Sequence, residues 1–244
     1  MGQLQYFLAL VDEKRRHPGD DVIARLCEAE LPGEDGPQRL NDGEIATFAL
    51  LLGAAGSETV TKLVGNGVLL FHRWPLEWAK VVGDPGRMPS AVEEILRYWA
   101  PSQYQGRFTT KPATIHGVTI PAGAPTLLLT GAASRDERAY PEPDRFDIDR
   151  KQQIALGFGY GIHSCLGIAL ARLESRIAFE ELCARYPRYR VDERGLRRVQ
   201  MANVAGYSHV PVSLPARPSS CSTDEHKPLL PFPNEHRASP HHVS

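Results

Sequence analysis

The chain has 244 residues, 42% of them hydrophobic and 23% charged, with a net charge of −1. That is the composition of a globular protein long enough for one or two domains with a real core. It argues against nucleic acid or an anionic membrane as a bulk partner. The four cysteines, Cys27, Cys165, Cys183 and Cys221, are widely and irregularly spaced. They fit a reducing, cytoplasmic compartment better than a disulfide framework. Met1-Gly2-Gln3-Leu4-Gln5 has neither the basic start nor the apolar core of a secretory signal.

In chain order, residues 3–30 predict two helices, with apolar positions at Leu4, Phe7, Leu8 and Val11, then at Val22, Ile23 and Leu26. Pro18-Gly19-Asp20-Asp21 separates them, and Asp20 or Asp21 can serve as an N-cap. Residues 31–37 read as a loop. Asn41-Asp42-Gly43-Glu44 starts a long apolar helix that continues to about His72. Its apolar run over residues 45–56 is broken by Ser57, Glu58 and Thr59, so it is too short and too polar to cross a bilayer. It reads as a helix buried inside protein. Pro75 and Pro85 bracket a further short helix. Ser90-Ala91-Val92-Glu93 reads as a capping box opening the next, and Pro101 closes it.

The middle of the chain changes period. Residues 113–120 and 125–130 are short and β-rich, and Pro121-Ala122-Gly123 between them predicts a hairpin. Residues 131–157 are irregular, 166–186 form an amphipathic helix, and 204–214 read as closing strands. From Pro215 the chain turns to Pro, Ser and His with few large apolar groups, and reads as a disordered tail over 215–244. Its His226, His236, His241 and His242 read as solvated. The fold class is mainly α with small β-sheets (α+β), in one domain over 1–214.

The chemistry concentrates at Phe158-Gly159-Tyr160-Gly161-Ile162-His163-Ser164-Cys165-Leu166-Gly167. A cysteine at a helix N-terminus feels the positive end of the macrodipole and unpaired N–H groups, which favour a thiolate. Gly159, Gly161 and Gly167 remove side chains that would keep a large flat ligand off the backbone. A thiolate so placed is a good ligand for haem iron. The bland reading is an inert buried thiol. A phosphate cradle is disfavoured because G-x-G-x-x-G is incomplete, and zinc because there is no C-x-x-C.

This decapeptide resembles the haem-binding loop of the cytochrome P450 family, the haem-thiolate monooxygenases, which reads F-G-x-G-x-H-x-C-x-G. Every fixed position is matched. The resemblance implies that Cys165 is the axial ligand of haem b (iron protoporphyrin IX), that His163 reaches a propionate, and that Phe158 packs near the sulfur. Ala55-Gly56-Ser57-Glu58-Thr59 resembles the family's A-G-x-[DE]-T, where a helix bends over the distal face and handles protons. Thr59 is favoured over Glu58 for the direct role, since helix neighbours do not face one point. Without the resemblance, Thr59 would simply bond back to the carbonyl of Ala55. Glu94-Ile95-Leu96-Arg97 resembles E-x-x-R, and Pro143-Asp144-Arg145-Phe146 resembles P-x-R-F. Together they imply a buried structural network of Glu94, Arg97 and Arg145. Arg107 matches an arginine that pairs with a propionate, Ser134-Arg135-Asp136 resembles a structural N-R-D turn, and Asn203-Val204-Ala205-Gly206-Tyr207 is expected near the substrate.

The resemblance covers residues 1–214 and only the C-terminal portion of the family, so an N-terminally truncated member or fragment is expected. What it implies is an oxidoreductase of the soluble bacterial type. Such an enzyme inserts one oxygen atom from O2 into a small apolar organic substrate. Its electrons come from a separate ferredoxin or flavoprotein reductase, since the chain has no flavin or nicotinamide fingerprint. The alternative is a non-catalytic haem-binding module or an inactive remnant.

Overall fold

The structure, a computed structural model, describes residues 2–33, 36–151 and 156–215. The segment read as a tail, with its four histidines and Cys221, otherwise lies outside the described residues. Helix α1 (Gln3–Arg16) ends in Lys14, Arg15 and Arg16, which complement its dipole. Helix α2 (Val22–Glu28) is capped by Asp21, whose Oδ1 accepts from the N–H groups of Ile23 and Ala24 at 3.0 Å each. A short ladder of β1 (Glu30–Leu31) and β2 (Gln38–Arg39) follows where a plain loop was expected.

Helix α3 (Asp42–Arg73) starts with a reciprocal capping box. Glu44 N–H donates to Asn41 Oδ1 at 3.0 Å, and Asn41 N–H to Glu44 Oε2 at 2.8 Å. Its first turns bury Ile45 and Ala46 against Val11 and Cys27. The rest of its apolar run departs from the sequence reading: residues 51–57 are exposed, Leu51 to 60%. Helix α1 reaches only its edge, where a Cβ at Gly53 would meet Phe7 Cζ at 4.0 Å. An apolar run specifies a need for a partner, and the partner itself is a tertiary fact.

The main core is built by the C-terminal half of α3, by α4 (Pro75–Gly83), by α5 (Met88–Trp99) and by α7 (Ile168–Arg185). The ring of Phe71 lies 4.9 Å from Trp78, 5.8 Å from Phe146 and 5.6 Å from Phe179, centroid to centroid. These are tilted and edge-on contacts that aromatic quadrupoles favour. The predicted capping box at Ser90 is absent. A 3-10 turn over Pro85–Arg87, capped by Asp84, leads directly into α5, with Pro89 in its first turn. Proline there loses no hydrogen bond, so the helix begins before Ser90.

The predicted hairpin is also corrected. Residues 113–120 form a hairpin by themselves, β4 (Ala113–Ile115) with β5 (Val118–Ile120). Its turn residues His116 and Gly117 have φ of 49° and 79°, the positive values that a two-residue turn needs. Strand β6 (Pro125–Leu128) pairs instead with β3 (Gln105–Phe108), Arg107 facing Thr126. A short helix α6 (Thr130–Ala133) follows. Two further antiparallel ladders close the fold. In them β7 (Arg190–Val191) pairs with β10 (Val212–Ser213), and β8 (Arg197–Arg198) with β9 (Tyr207–His209). No helix among the described residues is long and apolar enough to cross a membrane.

Candidate functional site

The cysteine loop is shaped by its glycines. Gly159 and Gly161 adopt φ of 78° and 69°, and a Cβ at Gly159 would stand 3.2 Å from the carbonyl of His163. Both positions therefore favour glycine. The chain turns through a 3-10 turn at Gly161–His163 and closes on itself where Cys165 N–H donates to Phe158 O at 2.9 Å. Helix α7 starts at Ile168, with Gly167 at the N-cap and no side chain capping it. The free N–H groups of its first turn thus lie just beyond the sulfur.

Phe158 anchors the loop in the main core, and the guanidinium of Arg172 sits 5.4 Å from its ring centroid. Arg172 is itself fixed to Glu93 on α5 through Nε at 2.6 Å and Nη2 at 3.0 Å. Cys165 is exposed, whereas Cys27 and Cys183 are buried, and burial raises the Cys183 thiol above its ordinary value. In the same loop Ile162 is 97% exposed and Leu166 81% exposed. Large apolar side chains exposed next to a cysteine suit the edge of an apolar ligand site.

The donor set decides what that is. Among the described residues no three His, Cys, Asp or Glu side chains come together as a metal site. A metal held by Cys165 must arrive with its other ligands in place, as iron in porphyrin does. An exposed cysteine at the end of a glycine loop, with exposed apolar residues near it in sequence and no cluster of three ligating side chains among the described residues, fits haem b.

Glu94 and Arg97 are buried, with side-chain exposures of 1% and 0%. Arg97 Nε donates to Oε2 and Nη2 to Oε1, each at 2.8 Å. Its Nη1 also donates to the carbonyls of Ser134 and Pro143, both at 2.9 Å, and Nη2 to that of Arg145 at 3.2 Å. The third arginine of the network is not the expected one. The Arg145 side chain is exposed and pairs with Glu142 at 3.3 Å, so it contributes only its carbonyl. Arg150 takes the place: its Nε lies 3.4 Å from Glu94 Oε1, and its other nitrogens donate to the carbonyls of Pro141, Glu142 and Arg145. The turn at residues 141–145 points the Arg145 stem outward while Arg150 returns inward.

The remaining candidates sit on other elements. On α3, Thr59 Oγ1 donates to Ala55 O at 2.9 Å, and Glu58 Oε1 lies 2.9 Å from the buried Lys62 Nζ. The helix passes through Gly56 without interruption. Arg107, half-buried on β3, donates to the carbonyl of Gly106 at 2.7 Å and makes no ion pair among the described residues. His163 is exposed at the end of its turn. No hydrogen bond or ion pair among the described residues joins Thr59, Glu58 or Arg107 to the cysteine loop. The segment 203–206 is strapped to the chain just after α5 by Gln103 N–H to Asn203 O at 3.0 Å and Ala205 N–H to Pro101 O at 2.7 Å. Asn66 adds a side-chain donor to Ala205 O at 3.3 Å. Asn66 and Arg150 carry no motif of their own, and only their positions in the folded chain reveal them.

The family model described as Cytochrome P450 matches residues 88–192. Putative cytochrome P450 123 of Mycobacterium tuberculosis is 41% identical over 215 residues, 88% of this chain and 52% of that protein. Erythromycin C-12 hydroxylase of Saccharopolyspora erythraea is 44% identical over 211 residues, 85% of this chain and 52% of that protein. Among solved structures, the open, histidine-tagged cytochrome P450 EryK from S. erythraea matches with a TM-score of 0.82 at 41% identity. The match covers 90% of this chain and 56% of that one. The chain spans about half the length of the curated relatives it matches. Loop, buried network, fold and relatives agree: the chain belongs to the cytochrome P450 family.

Proposed function

We propose that this chain carries the haem-thiolate half of a monooxygenase. The enzyme would insert one oxygen atom from O2 into a small apolar organic substrate and reduce the other to water. The observation that carries the proposal is the exposed Cys165 at the end of its glycine loop, between the exposed Ile162 and Leu166 in sequence, with no cluster of three ligating side chains among the described residues. When bound, haem b supplies oxygen activation, with the thiolate donating electron density to the iron. The relative named for hydroxylating erythromycin at C-12 supports an organic substrate. Electrons would come from a ferredoxin or flavoprotein reductase.

The chain's own residues supply the rest. Cys165 would ligate the haem iron, and Phe158, packed against the core, would hold the loop in place. Arg107, which makes no ion pair among the described residues, and the exposed His163 would hold the propionates. The Thr59 hydroxyl spends its one proton on Ala55 O. It therefore offers only lone pairs outward and orients a water by accepting from it. Glu58, held by Lys62 but still partly exposed, is the group that exchanges protons with solvent.

A second reading, a haem-binding or inactive remnant, is favoured by the exposure of α3 over residues 51–57. Haem titration of the purified chain, followed by peroxide-driven oxidation of a test substrate, separates the two. Uptake with product supports the enzyme. Uptake without product supports the remnant, and no uptake removes the haem assignment.

A further inference from the structure

Two adjacent residues, Asp147 and Ile148, give their N–H groups to buried carboxylates on two different helices. Asp147 N–H donates to Glu94 Oε1 on α5 at 3.0 Å, and Ile148 N–H to Glu77 Oε2 on α4 at 3.1 Å. Glu77 belongs to no motif of the sequence, yet it is buried, and a buried carboxylate persists only where donors compensate it. Lys80 Nζ is the second donor, 2.9 Å from the same oxygen, and it also reaches Asp149 at 2.9 Å and Asp147 at 3.8 Å. Arg87 holds Asp149 from the far side at 2.6 Å. Burial works against the charge on Lys80, but its hydrogen bonds to Asp149 and Glu77 outweigh that and leave the amine above its ordinary value.

We propose that Glu77 is a second positioning carboxylate, which works with Glu94 to fix the segment 146–150 from two sides and, through it, the seat of the cysteine loop. Phe146 and Ile148 are fully buried in the core cluster against which Phe158 packs. Glycine 157, where the loop begins, lies directly on the backbone of α5: a Cβ at Gly157 would be 3.2 Å from Leu96 O. A shift of Ile148 therefore passes to Phe158 through packed side chains, since close-packed cores transmit displacement. The functional sense of this role rests on Cys165 being the axial ligand, whereas the geometry does not.

The test is amide hydrogen exchange on the full chain without haem, comparing Glu77→Asp and Glu77→Gln with the unaltered protein. Glu77→Asp keeps the charge but withdraws it by one methylene, while Glu77→Gln keeps an acceptor at full reach. In the Asp variant the Ile148 and Cys165 amides should exchange faster on the order of tenfold, with the Phe71 and Phe179 amides unchanged. The Gln variant should stay within about threefold of the unaltered protein at all four. The proposal is overturned if Glu77→Asp leaves Ile148 and Cys165 protected. It is equally overturned if all four amides accelerate together, or if Gln loses protection as Asp does. Because no haem is involved, such a failure would leave the reading of Cys165 untouched.

Discussion

Arg97 grips Glu94 with two nitrogens of one guanidinium, and the same side chain spans to the carbonyls of Ser134, Pro143 and Arg145. One arginine thus joins α5 to two separate stretches of irregular chain. Removing Glu94 leaves a buried cation without its partner, so Glu94→Ala should lose about 3–5 kcal/mol of unfolding free energy. Arg97→Lys should fall between, because an ammonium has no planar fork. Urea denaturation followed by circular dichroism measures both, and a loss under about 1 kcal/mol for Glu94→Ala would contradict the network's structural weight.

Arg150 and Arg145 separate the observed network from the expected one. Arg150→Ala removes a donor to Glu94 and to three carbonyls, and should cost about 1–3 kcal/mol. Arg145→Ala removes only an exposed pair with Glu142 and should stay within about 0.5 kcal/mol. Equal costs for the two would show that the third arginine is misplaced.

Two glycines of α3 should respond oppositely to the same change. A Cβ at Gly67 would lie 2.7 Å from Ile95 Cδ1 and overlap the Phe179 ring, and both side chains are fully buried. Overpacking of about 1–3 kcal/mol exceeds the gain of up to ~1 kcal/mol in helix propensity, so Gly67→Ala should destabilise. At Gly56 nothing stands within 4 Å of the added carbon. Gly56→Ala should therefore raise stability by roughly 0.5–1 kcal/mol. Thermal melts of the pair give the signs.

Acid should weaken the fold in a defined window. The Ala24 amide and then Lys14 hold Asp21 below its ordinary value, the Lys80 hydrogen bond holds Asp149 below, and Arg73 does the same for Glu193. Arg138 brings Asp136 down from 3.8 to about 2. A carboxyl depressed in the folded state contributes its full stability above its unfolded value and loses it as pH falls through the folded one. Unfolding midpoints in urea should hold level down to about pH 5 and drop below about pH 4. Lys80 behaves inversely: its contribution is complete below 10.5 and is lost as pH rises beyond that. A midpoint that rises between pH 4 and pH 3 would contradict these assignments.

The helices were legible because their punctuation is local. Asp21 and the Asn41–Glu44 box fix two helix starts within a few residues, and Gly159 and Gly161 announce a loop that only glycine allows. The failures are non-local, or turn on a residue type that gives little signal. Histidine at 116 hides a hairpin turn that an asparagine would have announced. The pairing of β6 with β3 passes over the hairpin between them. Glu77 and Arg150 acquire their meaning from backbone amides and carbonyls that are remote in sequence, and no spacing encodes such partners. The exposed middle of α3 shows the same limit from the other side, since periodicity marks a face as apolar without saying what meets it.

The account stands most directly on the bond from the Cys165 sulfur to haem iron. The decisive measurement is the carbon monoxide difference spectrum of the reduced, haem-loaded chain beside Cys165→Ala. The unaltered chain should show a strongly red-shifted Soret band, and the variant should lose it while keeping its fold by circular dichroism. Identical spectra from the two proteins, or a folded chain that takes up no haem at all, would contradict it.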